Sequence, residues 1–130
     1  MATIHIRTQS SRQVVDVTHQ VMNLVAESGA ENGLCHVFVP HATAAIVLNE
    51  SADPEIGTDL LELLDGLVPA GRWRHDRIDD NGAAHLKAAV LGPGEMIPIV
   101  DGQLALGTWQ AILLVELDGP RDRTIRITVR

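Results

Sequence analysis

Trp109-Gln110-Ala111-Ile112-Leu113-Leu114-Val115-Glu116-Leu117 is an almost wholly apolar run, and beyond Asp118-Gly119-Pro120 the segment Thr124-Ile125-Arg126-Ile127-Thr128-Val129-Arg130 alternates apolar with polar. Apolar side chains on both faces predict a central strand; strict alternation predicts a strand with one face in the core. Gly119-Pro120 turns the first into the second. Working back toward the N-terminus, Met96 to Val100, Asp101-Gly102 and Gln103 to Leu106 predict a hairpin, since Asp-Gly suits the tight turn whose twist matches paired strands. Leu34 to Val39 and Ala44 to Leu48 are further β-type runs, and Pro40-His41-Ala42-Thr43 between them sets His41 and Thr43 at a strand break. Thr3 to Gln9 alternates in the manner of an edge or surface strand.

Helical spacing fills the gaps. Val14, Val17, Val21, Leu24 and Val25 predict a long amphipathic helix, capped by Ser10 or Ser11 and stopped by Gly29. Asp53-Pro54 opens a second, with Ile56, Leu60, Leu63, Leu64 and Leu67 on one face and its close at Pro69. Gly82 to Leu91 makes a third, ended by Gly92, with Asp80 or Asn81 as its N-cap. Strand, helix, strands, two helices, strands predicts an α+β fold with a mainly antiparallel sheet and about three helices. At 130 residues and 45% hydrophobic composition, the chain suits a single domain over 1–130.

A formal charge of −7, from 17 acids against 10 bases, argues against nucleic acid or anionic membrane as the main partner. The aromatic residues are Phe38, Trp73 and Trp109, too few for a base-stacking platform. Any phosphate must find a local basic pocket or a cation. One cysteine, Cys35, in an apolar run reads as a buried thiol, and with no signal segment or membrane-length apolar run it points to a cytoplasmic protein.

Arg74 to Lys87 gathers two His, three Asp, an Asn and most of the local cations into fourteen positions. Imidazoles and carboxylates ligate metals or shuttle protons, while Arg74, Arg77 and Lys87 suit a phosphate. His41, His75 and His85 lie outside clean amphipathic patterns; together they would form a zinc-like site with an open position for water, and separately each would bond a nearby backbone group. His5, His19 and His36 fit the second reading. Of Asp79 and Asp80, one is expected to cap the helix and the other to orient a metal-bound His or hold magnesium. Glu116 shares a strand face with Gln110, Ile112 and Leu114, so it is either an edge residue facing water or a functional acid, and Asn49-Glu50 also adjoins an apolar strand. Arg121 and Arg123 flank the last turn as solvated cations or anion ligands. No glycine-rich phosphate loop and no nucleophile elbow occurs.

His41-Ala42-Thr43-Ala44-Ala45, Asn49-Glu50-Ser51-Ala52-Asp53-Pro54, His75 through Lys87, Gly107-Thr108-Trp109-Gln110 and Glu116-Leu117-Asp118-Gly119-Pro120-Arg121 together resemble the YjbQ-type family, named for secondary thiamine-phosphate synthase activity. The resemblance runs in order from about residue 3 to the end. It implies a homotrimer with polar residues in clefts near subunit boundaries, and a capacity to join a pyrimidine diphosphate to a thiazole phosphate with release of diphosphate. The family's signature polar groups fall on His41, Thr43, Asn49, Glu50, His75, Asp79, Asn81, His85, Lys87, Thr108, Gln110 and Glu116; Ala42 departs from a position where relatives often carry a hydroxyl.

The combined expectation is an enzyme acting on a small phosphorylated substrate. His41, His75 and His85 would hold a divalent metal, zinc or magnesium. Lys87 with Arg74 or Arg121 would neutralise phosphate. Glu50 or Asp79 would act as base or orient a ligand, Asn81 would join the catalytic set, and Thr43, Asn49, Thr108, Gln110 and Glu116 would contact substrate. The competing expectations are a metal-dependent hydrolase using the same histidines and a trimeric ligand-binding module without turnover.

Overall fold

Ala111–Glu116 (β7) is buried along its whole length, and each neighbour explains why. In a computed structural model describing residues 1–130, β7 is the middle strand of a three-stranded antiparallel sheet, between Gln13–Asp16 (β2) and Ala44–Asn49 (β4), with Val115 opposite both Val14 and Ala45. Asp122–Val129 (β8) lies in a second sheet, between Ala2–Arg7 (β1) and Gly33–Phe38 (β3), which continues through Gly94–Val100 (β5) to Gln103–Leu104 (β6). Every pairing is antiparallel. Between the sheets, Ile112 and Leu114 of β7 and Ile46 of β4 meet Val37, Ile97, Ile125 and Ile127, and Thr18–Ser28 (α1) adds Val21 and Val25. Cys35 is buried in this core, which pushes its thiol up to about 11.

The opposite face of the three-stranded sheet carries Ala45 and Val115, which with Leu117 pack against Leu64 of Pro54–Leu67 (α2) and Ala84 and Ala88 of Gly82–Leu91 (α4). The outer face of the five-stranded sheet is open: Thr3, His5, Leu34, Met96 and Arg126 are exposed. The α+β class, the antiparallel sheets, the edge position of β1 and the Asp53-Pro54 helix start agree with expectation; Asp53 accepts from the Glu55 N–H at 2.9 Å. Asp101 and Gly102 take φ of 51° and 78°, the pair of left-handed residues that the hairpin turn requires.

Four expectations need correction. The first helix begins at Thr18, because Val14 and Val15 are used as strand residues opposite Val115 and Leu114; Ser10 and Ser11 cap nothing, and Asp16 accepts from the Thr18 N–H at 2.9 Å. Beside the three expected helices, Asp76–Asp79 (α3) forms a single turn before α4. Of the two N-cap candidates for α4, Asn81 holds the position but its side chain makes no cap hydrogen bond; Asp80 instead closes α3 in the left-handed region, and Asp76 Oδ1 accepts from the Gly82 N–H at 2.8 Å. Trp109 precedes β7 in a turn and is 67% exposed, while Leu63 and Leu67 of α2 also face outward. No helix is long and apolar enough to cross a membrane.

Candidate functional site

Side chains two apart on a strand share a face, so the row Ile112, Leu114 directs Glu116 into the core, and the row Ile127, Ile125 directs Arg123 there too. The two meet where the chain passes from one sheet to the other. Glu116 is 0% exposed and Arg123 3%, so the pair is desolvated. Arg123 Nε donates to Glu116 Oε1 at 2.8 Å and Nη2 to Oε2, while Nη2 also reaches the Thr43 hydroxyl at 2.8 Å. Thr8 donates to Glu116 Oε1 at 2.7 Å, and the Leu117 and Asp118 N–H groups donate to Oε2 at 3.0 and 3.1 Å. Burial pushes the Glu116 carboxyl up, but donation from Arg123, Thr8 and Asp118 outweighs it and holds the group below the ordinary glutamate value. Glu116 is therefore neither an edge acid in water nor a group facing substrate directly.

The network continues in both directions. On one side the Thr124 N–H donates to His41 Nε2 at 2.9 Å. An accepting nitrogen carries no proton, so the imidazole proton sits on Nδ1, and burial with the nearby Arg123 charge holds His41 below the ordinary imidazole value. On the other side Arg121 forks onto Asp118, Nε to the backbone oxygen at 2.7 Å and Nη2 to Oδ2 at 2.9 Å. Asn81 Nδ2 donates to the same Oδ2 at 2.8 Å, tying α4 into the seam. Gly119 is required at this crossing: a Cβ there would lie 2.3 Å from the Ser10 oxygen and 2.9 Å from Glu116 Cγ.

Two cavities flank the seam. The first, about 400 Å³, is lined by Arg7, His41, Thr43, Pro120, Arg121, Asp122 and Arg123, a lining that is polar or charged except for Pro120. Its floor is the buried Arg123–Glu116 pair, and its walls offer guanidinium N–H groups and the His41 Nδ1–H. The second, about 440 Å³, lies between α2, α4 and the β1–β2 connection, and Lys87, Arg12, Asp65 and Asn81 line it. Lys87 and Arg121 thus serve different cavities rather than one phosphate. Arg74 is exposed and makes no ion pair.

His75 and His85 face each other edge to face, ring centroids 4.5 Å apart, with Asp79 Oδ2 3.7 Å from His75 Nε2. That Nε2 and Asn81 Oδ1 are the two buried side-chain polar atoms with no partner in the protein, and both fall in the 74–87 stretch. His41 is held in the first cavity, apart from this pair, and no group of three His, Cys, Asp or Glu residues in the chain is placed to hold a metal ion. The expected convergence of three imidazoles within one chain is not seen; the Thr124 bond anchors His41 on the five-stranded sheet, whereas His75 and His85 belong to the α3–α4 segment.

The remaining predicted residues lie elsewhere. Asn49 accepts from the Glu50 N–H at 2.7 Å, and Glu50 lines a smaller cavity of about 200 Å³ with Asp16, Ser51 and Asp53. Thr108 and Gln110 are exposed in the turn before β7, where Gln110 accepts from the Gly107 N–H at 2.8 Å. Sequence reasoning missed Thr8, Arg12, Asp65 and the linking role of Asp118, and read Arg123 as a solvated cation or an anion ligand rather than the buried partner of Glu116. Strand parity exposes Arg123; nothing local marks Arg12 or Asp65, which meet Lys87 only through the packing of α2 on α4.

A family model described as UPF0047 protein YjbQ-like matches residues 2–130. A UPF0047 protein of Methanothermobacter thermautotrophicus is 39% identical over 125 residues, spanning 95% of this chain and 87% of the relative. YugU of Bacillus subtilis is 36% identical over 130 residues, 98% of this chain and 96% of the relative. Among solved structures, a YbjQ-like protein of unknown function from Sulfolobus solfataricus superposes with a TM-score of 0.96 at 43% identity, covering 98% of this chain and 94% of that one. An uncharacterised conserved protein of the YjbQ/UPF0047 family from Clostridium acetobutylicum gives 0.96 at 40% identity, with both chains covered in full.

Proposed function

The chain belongs to the YjbQ-like UPF0047 family, and from that premise we propose that it is a small-molecule enzyme whose predominantly polar cavity binds the phosphate or diphosphate of its substrate. The carrying observation is that cavity: three arginines, paired in turn with Asp122, Asp118 and Glu116, and a His41 Nδ1–H in a chain of net charge −7, over a floor that burial and hydrogen bonding hold rigid. Arg121, forked onto Asp118 with Nη1 free, presents a pre-oriented N–H to the anion.

The reaction of the proposal is thiamine-phosphate synthesis as a secondary activity, which rests on the resemblance. The carbon–oxygen bond between the pyrimidine methylene and diphosphate breaks, its electron pair leaving with diphosphate. The thiazole nitrogen lone pair forms the new carbon–nitrogen bond. The protein's contribution is N–H donation from Arg121 and Arg7 onto the growing diphosphate charge, with His41 donating as a neutral group. Arg121→Gln should lower kcat/KM about 10- to 100-fold, the loss of one charge-assisted hydrogen bond, in an assay of diphosphate release from pyrimidine diphosphate and thiazole phosphate. No release by the wild type removes this reaction; unchanged kinetics in the variant remove the cavity as its site.

A divalent metal belongs to the proposal at the His75–His85 pair. Its partnerless Nε2 suits a ligand atom and Asp79 is placed to orient the ring, but the chain supplies two imidazoles and no third protein ligand beside them. The further ligands would be water or groups from another copy in the proposed homotrimer. The same pair favours a metal-dependent hydrolase as the second reading; activity that is lost on chelation and needs only one organic substrate distinguishes it.

A further inference from the structure

We infer that the cavity between α2, α4 and the β1–β2 connection is a second ligand site, for a small anion that carries an N–H donor of its own. It goes beyond the phosphate site above and stands or falls separately from it. Lys87 is 5% exposed and donates to Asp65 Oδ1 at 2.6 Å; Arg12 Nη1 donates to the other oxygen of the same carboxylate. One carboxylate therefore answers two cations. The other N–H groups of both have no partner in the chain, and in the low dielectric around Lys87 a second anion would complete the set.

The facing wall has the opposite character. Asn81 Nδ2 is committed to Asp118 Oδ2, an oxygen that can only accept from it, so Oδ1 is fixed as an acceptor, buried and without a donor. Asp80 lines the same cavity, exposed and with no side-chain hydrogen bond. Ala83 and Ala84 between the walls leave about 440 Å³, space for a compact molecule. An anionic group at Lys87 and Arg12 with an N–H toward Asn81 would satisfy both walls at once.

Methylphosphonate and aminomethylphosphonate differ by that N–H donor, and amide chemical shifts in the 15N-labelled full chain separate the two cavities. Ala83 and Ala84 report on this one, Arg121 and Thr124 on the other. The wild type should show saturable shifts at Ala83 and Ala84, with aminomethylphosphonate bound about fivefold more tightly than methylphosphonate. Arg12→Gln, at an exposed position that leaves packing intact, should weaken both probes here at least about fivefold without changing the shifts at Arg121 and Thr124. Asn81→Ala should abolish the preference and keep methylphosphonate binding. Shifts confined to Arg121 and Thr124, insensitivity to Arg12→Gln, or no preference between the probes would each overturn the inference, the first while leaving the proposed function standing.

Discussion

Arg123 and Glu116 form the one ion pair in the molecule hidden from water on both sides, and it sits under the polar cavity. Removing one partner of such a pair strands a buried charge at a cost of about 3–5 kcal/mol. Arg123→Met should therefore lower Tm by at least about 10 °C, read by thermal denaturation. Arg123→Met with Glu116→Leu should recover much of that loss, because no charge is then left unpaired. If the double variant is as unstable as the single, the pair is not the cause.

The titration of the same residues gives a direction for pH. Glu116 is held below its ordinary value, so the native state releases its proton more readily than the unfolded chain; the resulting stability is present above the ordinary value of 4.5 and is lost as pH falls through the native one. His41 is also held below its ordinary 6.5, so the unfolded chain takes up its proton first, and stability declines as pH drops below 6.5 toward the native value. Urea midpoints measured across pH 8 to 3 should fall in two stages. His41→Asn should flatten the upper stage and leave the lower one; an unchanged upper stage would assign it to another histidine.

At the scale of elements, the entry to α4 decides how Asn81 and Lys87 are presented. Asp76 ties the turn together by accepting from the Trp73 and Gly82 N–H groups, at 3.0 and 2.8 Å. A Cβ at Gly82 would lie 2.7 Å from Trp73 Cβ and 2.8 Å from Asp76 Oδ1, a backbone-anchored crowding that no rotamer relieves. Gly82→Ala should cost about 1–3 kcal/mol, measured by chemical denaturation, and should weaken the Asn81 contact to Asp118. The α1 boundary teaches the complementary lesson. Val14 and Val17 satisfy a helical period, yet the adjacent pair Val14-Val15 is β-branched and finds open edge positions on β7. A spacing of three or four residues cannot distinguish these uses when one strand still lacks a neighbour.

For the molecule as a whole, assembly is the open prediction. The outer face of the five-stranded sheet exposes Leu34 and Met96, and α2 and α4 expose Leu63, Leu67 and Val90, apolar side chains that the proposed homotrimer would have available to cover. Light scattering of the purified protein should give three times the chain mass of 14.0 kDa; the mass of a single chain would end the trimer proposal and the shared metal site with it.

Alternation, the apolar run of 111–116, the Asp101-Gly102 turn and the Asp53-Pro54 start are local signals, and each survived into the structure because a strand's faces and a turn's φ angles depend on neighbours in sequence. The resemblance to a family could likewise be read from ordered motifs. What only tertiary structure decided is which polar groups meet. Thr8, Thr43, Glu116 and Arg123 come from four separate segments and are joined at the crossing between two sheets, while Lys87, Asp65 and Arg12 are joined by one helix packing on another. A burial pattern tells a side chain to go inside; it holds no information about the partner that will be waiting there, since that partner is set by strand order and helix packing summed over the entire chain.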